Sequence, residues 1–174
     1  MKNIKRYTLL TLLILLCIGG LSAQNRAKYV FYFIGDGMGL GQTQALRTYF
    51  KTVNDSLASL VHFYDFPVAG IVSTYSADSD ITDSAAAGTA LACGTKTNNS
   101  TLGMGPDSAR LTSMMELARD KGLATGLVVS CYLQHATPGA FYAHQPKRHL
   151  YDEITDDLVA SNFDVMIGGG SRWL

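Results

Sequence analysis

The sequence predicts an α/β protein with a mostly parallel central sheet flanked by helices. Short apolar runs rich in β-branched and aromatic residues alternate with stretches that have helical spacing, and glycine- or asparagine-containing breaks separate them. Such alternation gives a parallel sheet with helices on both faces. Residues 28–34 come first: Lys28-Tyr29-Val30-Phe31-Tyr32-Phe33-Ile34 reads as a strand buried on both faces, ending at an aspartate enclosed by glycines. Residues 68–75 form a second β-branched run. A helix is expected to open at Thr82-Asp83-Ser84, because only Ala, Gly and Thr follow as far as Leu91 and alanine is the best helix former. Residues 98–107, rich in Asn, Gly and Ser, read as a surface loop. Residues 111–121 carry Leu111, Met114, Met115, Leu117 and Ala118 at helical spacing, the methionines as core candidates. Thr112 is the expected cap of that helix and Gly122 its terminator. A third strand is expected over 124–130 and a helix over 152–160 with Asn162 at its end. A fourth strand follows over 163–167, closed by Gly168-Gly169-Gly170.

Two segments carry chemistry. In an open α/β sheet ligands gather beyond the carboxyl ends of the strands, where Asp36 falls, and a carboxylate without bulky neighbours suits a hard cation. A plain strand-terminating turn would use the same residues. No window of Gly35, Gly37, Gly39 and Gly41 gives G-x-G-x-x-G, which excludes the dinucleotide fingerprint. Ser84 places a hydroxyl at a helix start, where unpaired N–H groups favour an oxyanion or phosphate. Asp83 and Ser84 are equally ordinary helix caps. The serine-hydrolase elbow G-x-S-x-G is absent, since Ser84 sits in Thr-Asp-Ser-Ala-Ala.

These segments, continued by Gln134-His135-Ala136-Thr137-Pro138 and Ala143-His144-Gln145-Pro146-Lys147-Arg148, resemble the alkaline phosphatase family over the chain beyond its first two dozen residues. The resemblance implies a phosphomonoester hydrolase with two zinc sites and one magnesium site, acting on small-molecule phosphate monoesters, with a homodimeric full-length form. It implies Ser84 as the nucleophile that becomes phosphorylated and also meets metal. Asp36 is then the carboxylate between the second zinc and the magnesium, and His135 and Thr137 complete part of the magnesium site. Arg148 becomes the clamp on the substrate phosphate, and Asp83 the carboxylate that steadies it. Many members of the family carry Asp where His135 stands, and a nitrogen ligand there lets zinc compete with magnesium. Without the resemblance, His135 and Thr137 read as neighbours on one side of an extended segment, and Arg148 as part of a solvated basic patch with Lys147 and His149.

A secretory signal peptide is expected over residues 1–23, from basic Lys2, Lys5 and Arg6, an apolar stretch over 7–18 and small residues before Gln24. Leu16 before Cys17 disfavours a lipoprotein signal. The expected location is the periplasm or the extracellular space. The sequence has 14 basic and 14 acidic residues. All three charges of the leader are basic, so the remainder is mildly acidic, which excludes a nucleic-acid partner. Cys93 and Cys131 lie beyond the leader, and a disulfide and two buried thiols both fit an oxidising compartment. Residues 24–174 are expected to be the N-terminal part of an alkaline phosphatase-like domain, incomplete at its C-terminus. By the resemblance, just one of His62, His135, His144 and His149 matches a ligand position of the family. The alternative, from another class, is a non-catalytic exported fragment that binds phosphate or metal.

Overall fold

The computed structural model describes residues 27–53 and 61–173. The predicted leader, residues 1–23, lies outside the described residues. The chain divides into two units, Met1–Gly35 and Asp36–Leu174.

In the first unit, residues 28–34 run without a strand ladder. Val30 is 82% and Phe33 85% exposed, so the strand buried on both faces is not formed. Residues 68–75, in the second unit, likewise stay unpaired, with Val68 and Ile71 exposed. The reason is common to both. A β-branched, aromatic run has the propensity for a strand, but a parallel strand exists only through its neighbours, and neither run is paired in a strand ladder among the described residues. Lys96 ties down the end of the second run instead. Its ammonium donates to the carbonyls of Ser73 and Tyr75 and lies 3.7 Å from the Tyr75 ring centroid.

The second unit opens with α1, Leu40–Val53, whose unremarkable, largely polar sequence gave no strong helical signal. The small-residue helix α2, Ser84–Cys93, forms where expected. The Asp83 side chain caps it by accepting from the Ala86 N–H at 2.9 Å, and Gly94 ends it in the left-handed region. Helix α3 spans Met114–Asp120. Its cap is Ser113, not Thr112, because Ser113 and Glu116 form a reciprocal capping box that satisfies two first-turn donors. Gly122 follows with φ +72°, as a terminator should. Met115 packs against the core, whereas Met114 and Leu117 face out, so only part of the expected apolar stripe is buried.

Strand β1, Gly126–Tyr132, and strand β2, Val165–Gly169, pair in parallel with Leu127 opposite Met166. Both begin two residues later than the apolar pattern suggested. The short helix α4, Ala136–Gly139, and α5, Tyr151–Ala160, lie between them in the crossover. Asn162, with φ +53°, turns the chain from α5 toward β2. The core gathers Ala85, Ala92, Leu102, Leu127, Leu133, Ala136, Ala140, Phe141, Ile154 and Leu158. At Gly88 a Cβ would lie 3.0 Å from the Ala140 Cβ, so glycine sets how closely α2 approaches the segment after α4. The expected loop over 98–107 is irregular, pinned by a bridge from Leu102 to Gln145. No described helix is long and apolar enough to cross a membrane.

Candidate active site

Asp36 begins the second unit at a turn whose next residue, Gly37, has φ +68°. The two oxygens of its carboxylate serve different neighbours. The Ser84 hydroxyl donates to Oδ1 at 3.1 Å and the Thr137 hydroxyl to Oδ2 at 2.8 Å. Burial pushes the Asp36 carboxyl up, but the bonds from Thr137 and Ser84, with the nearby charge of Arg148, outweigh it. The group stays below the usual carboxylate range.

Ser84 is the first residue of α2, so its hydroxyl lies at the end of the helix where the amides lack intrahelical partners. Asp83 performs two tasks at once. Oδ1 caps the helix, while Oδ2 accepts from the Ser100 N–H at 3.0 Å and from Arg148 Nη1 at 3.1 Å. Asp83 thus caps α2 with one oxygen and meets Arg148 with the other. Arg148 is not part of a solvated patch, since its side chain is 29% exposed and ion-paired. Its other terminal nitrogen, Nη2, lies 3.4 Å from His135 Nε2, and because a guanidinium only donates, Nε2 must accept.

His135 and Thr137 do not lie on an extended segment. His135 precedes α4 with φ −64° and ψ 157°, and Thr137 lies within the turn. Proline is tolerated in a first helical turn, so Pro138 permits this tight conversion from β1. Burial lowers the proton affinity of His135, the Arg148 charge lowers it further, and Asp36 opposes both. Its Nδ1 is buried without a hydrogen-bond partner among the described residues.

The structure brings the six sequence-predicted residues together as two hydrogen-bonded groups, Asp36 with Ser84 and Thr137 and Arg148 with Asp83 and His135, adjacent along the chain at Asp83–Ser84 and at His135 and Thr137. Sequence reasoning missed Asn99 and Ser100. The Asn99 side chain accepts from the Asp83 N–H at 3.0 Å, and Ser100 adopts φ +76° to aim its own N–H at the same carboxylate. The Asn-Asn-Ser composition signals a turn and nothing more specific. Cys93 and Cys131 are both free thiols, and burial, helped by the Glu116 charge, pushes Cys93 up to about 11.

A carboxylate between two hydroxyls, near a cationic fork at a helix start, is an arrangement suited to an anion beside a hard cation. The alkaline phosphatase family profile matches residues 27–174, and the chain belongs to that family. Alkaline phosphatase 4 of Bacillus subtilis is 37% identical over 160 residues, covering 86% of this chain and 35% of that protein. A histidine-to-aspartate mutant of the TAB5 alkaline phosphatase, with Mg bound in its M3 site, superposes with a TM-score of 0.72 at 36% identity. That match covers 80% of this chain and 38% of the mutant's chain. The Thermus thermophilus alkaline phosphatase gives 0.74 at 31% identity, covering 81% and 30%. The chain spans about a third of the length of the curated relatives it matches.

The donors fit a hard cation on one side. Asp36 and Thr137 offer oxygens, and the incomplete bonding of the His135 ring leaves it open to a further group. Asp36 and Ser84 offer two oxygens toward a second position. A zinc site needs three or four protein ligands, and no group of three His, Cys, Asp or Glu suited to a metal occurs among the described residues.

Proposed function

We propose that the protein to which this chain contributes is a metal-dependent phosphomonoester hydrolase that works through a phosphoserine at Ser84. One observation carries the reading: the Ser84 hydroxyl lies 3.1 Å from Asp36 at the N-terminus of α2, and the residue just before it, Asp83, is paired with Arg148. Ser84 Oγ attacks phosphorus, its new O–P bond forming as the ester O–P bond breaks and the alcohol departs with a proton. Water then cleaves the phosphoserine to release inorganic phosphate. Phosphoryl transition states spread charge over three equatorial oxygens, and the planar fork of Arg148 can hold two of them. Asp83 fixes the plane of that fork, and the amides of the first turn of α2 add further donors.

Asp36, His135 and Thr137 would hold magnesium, and Asp36 and Ser84 one face of a zinc. Bound divalent cations would lower the pKa of the serine hydroxyl and neutralise charge on the transferred group. The substrates in this reading are small phosphate monoesters, and the protein is exported.

The test uses the complete protein. Ser84→Ala should lower turnover of a chromogenic phosphate ester at least about a thousandfold and abolish acid-trapped phosphoserine. Labelled phosphoserine persisting elsewhere in the variant would refute the assignment.

A further inference from the structure

Tyr132 and Tyr151 lie beside this site, yet the proposed chemistry uses neither. Tyr132 is the last residue of β1, and its carbonyl accepts from the His135 N–H at 3.0 Å. The two rings then meet edge to face, with centroids 5.1 Å apart and planes at 79°. Tyr151 is the first residue of α5, three positions after Arg148. It meets Tyr132 in the same manner, at 5.7 Å and 80°, and the two hydroxyls lie 3.2 Å apart. One tyrosine is therefore anchored three residues before His135 and the other three residues after Arg148. Those two side chains face each other at 3.4 Å.

We propose that Tyr132 is a positioning residue for the site. Its ring sets the plane of His135, and its hydroxyl, bonded to Tyr151, fixes the span between the turns that carry His135 and Arg148. The inference rests on the reading of His135 as a metal ligand and Arg148 as a phosphate clamp.

Three features favour positioning over plain packing. The contact falls on the edge of one ring and the face of the other, which constrains orientation as well as distance. Both tyrosines sit at the ends of regular elements, so the pair joins a strand to a helix rather than one loop to another. Space is also reserved for it. Gly170, with φ +114°, passes where a Cβ would lie 3.1 Å from the Tyr132 Cβ and 2.3 Å from Gln134 Oε1. A larger residue there would press on the Tyr132 and Gln134 side chains at a backbone angle that residues with a Cβ rarely adopt.

The experiment compares Tyr132→Ala, Tyr132→Phe and Tyr151→Phe in the complete protein. Leu158→Ala, a core truncation in α5, serves as a stability control. Magnesium alone and inorganic phosphate alone are titrated by calorimetry, and thermal midpoints are recorded. Tyr132→Ala should weaken magnesium about tenfold or more, the usual effect of removing a group that orients a ligand, and Tyr132→Phe should restore it to within about twofold. Both Phe variants should weaken phosphate about threefold, because each removes the hydroxyl bond that sets the span. Leu158→Ala should lose stability while keeping both affinities.

The inference is overturned if Tyr132→Ala binds magnesium and phosphate like the parent, whatever its thermal midpoint. It is equally overturned if Leu158→Ala weakens both as much. Histidine ring resonances of [13C]histidine-labelled, metal-free protein give a readout independent of any ligand, with His135 assigned through His135→Gln. A single ordered His135 signal should persist in Tyr132→Phe and average in Tyr132→Ala, and an unchanged signal in Tyr132→Ala overturns the inference. Should the parent bind neither magnesium nor phosphate, the functional reading fails, and the ring resonance still decides the positioning.

Discussion

Arg148 shows how much one side chain contributes here. It is held at both ends of its fork, by Asp83 on Nη1 and by His135 on Nη2. A lysine would keep the charge and lose the planar pair of donors. Arg148→Lys in the complete protein should therefore weaken competitive inhibition by phosphate about tenfold and lower kcat/KM in step. Unchanged phosphate affinity would return Arg148 to the surface. The identity of such residues was legible in the chain because Asp36, Ser84, His135, Thr137 and Arg148 lie in short motifs whose order is itself informative. Their partnerships were less legible. Nothing along the sequence says that Asp83 divides its two oxygens between a helix cap and an arginine, or that Asn99 and Ser100 brace it. Those contacts are made by a loop whose composition signals only a turn.

At the scale of elements, α3 is fastened through one buried carboxylate. Glu116 completes the Ser113 capping box with one oxygen, while its other oxygen accepts from Arg110 Nη2 at 2.9 Å and lies 3.0 Å from His144 Nε2. His144 in turn reaches the Gly103 carbonyl through Nδ1 at 2.8 Å, and its backbone N–H donates to Asp157 of α5. Loop, α3 and α5 thus meet at this residue. Burial raises the Glu116 carboxyl, but the Ser113 amide, His144 and Arg110 outweigh it and hold the group below its usual 4.5. A carboxyl depressed on folding gives stability that is fully present above its unfolded value and is lost as pH falls through the folded value. Denaturant melts from about pH 7 to about pH 3 should show this loss. Glu116→Gln should be less stable by about 2 kcal/mol at neutral pH and should lose less on acidification. Parallel pH profiles for the two proteins would show that Glu116 does not carry the dependence. The capping-box spacing Ser113-x-x-Glu116 was in the sequence. The separation of 28 positions between Glu116 and His144 concealed the rest. Strands were the hardest elements to read, since residues 28–34 and 68–75 have the composition of strands but form no strand ladder among the described residues.

The whole molecule leaves a marked apolar surface. Val128 and Ile167 on the paired strands are 70% and 57% exposed, and Ile71 and Val72 are open as well. Parallel sheets are ordinarily covered on both faces. Residues 24–174 produced alone should therefore associate on a sizing column and should not turn over phosphate esters with zinc in excess, because the described donors supply only part of each metal site. Robust turnover that depends on Ser84 would show that the segment assembles a complete site, by itself or between copies.

The hydrogen bond from Thr137 to Asp36 joins residues 101 positions apart, and that from Ser84 to Asp36 spans 48. Closing a loop costs about 0.6 kcal/mol more for each doubling of its length, and distant contacts form late in folding. The helices on either side, by contrast, are local structures. Refolding should then run in two stages, with α2 and α5 gaining amide protection before the turn at Asp36 docks on them. Simultaneous protection of all three in pulse-labelled exchange would contradict this order. A newly made molecule would pass through a state with Ser84 already at its helix end but no carboxylate beside it, and an ion held by both would favour the docked state as well as serve the chemistry.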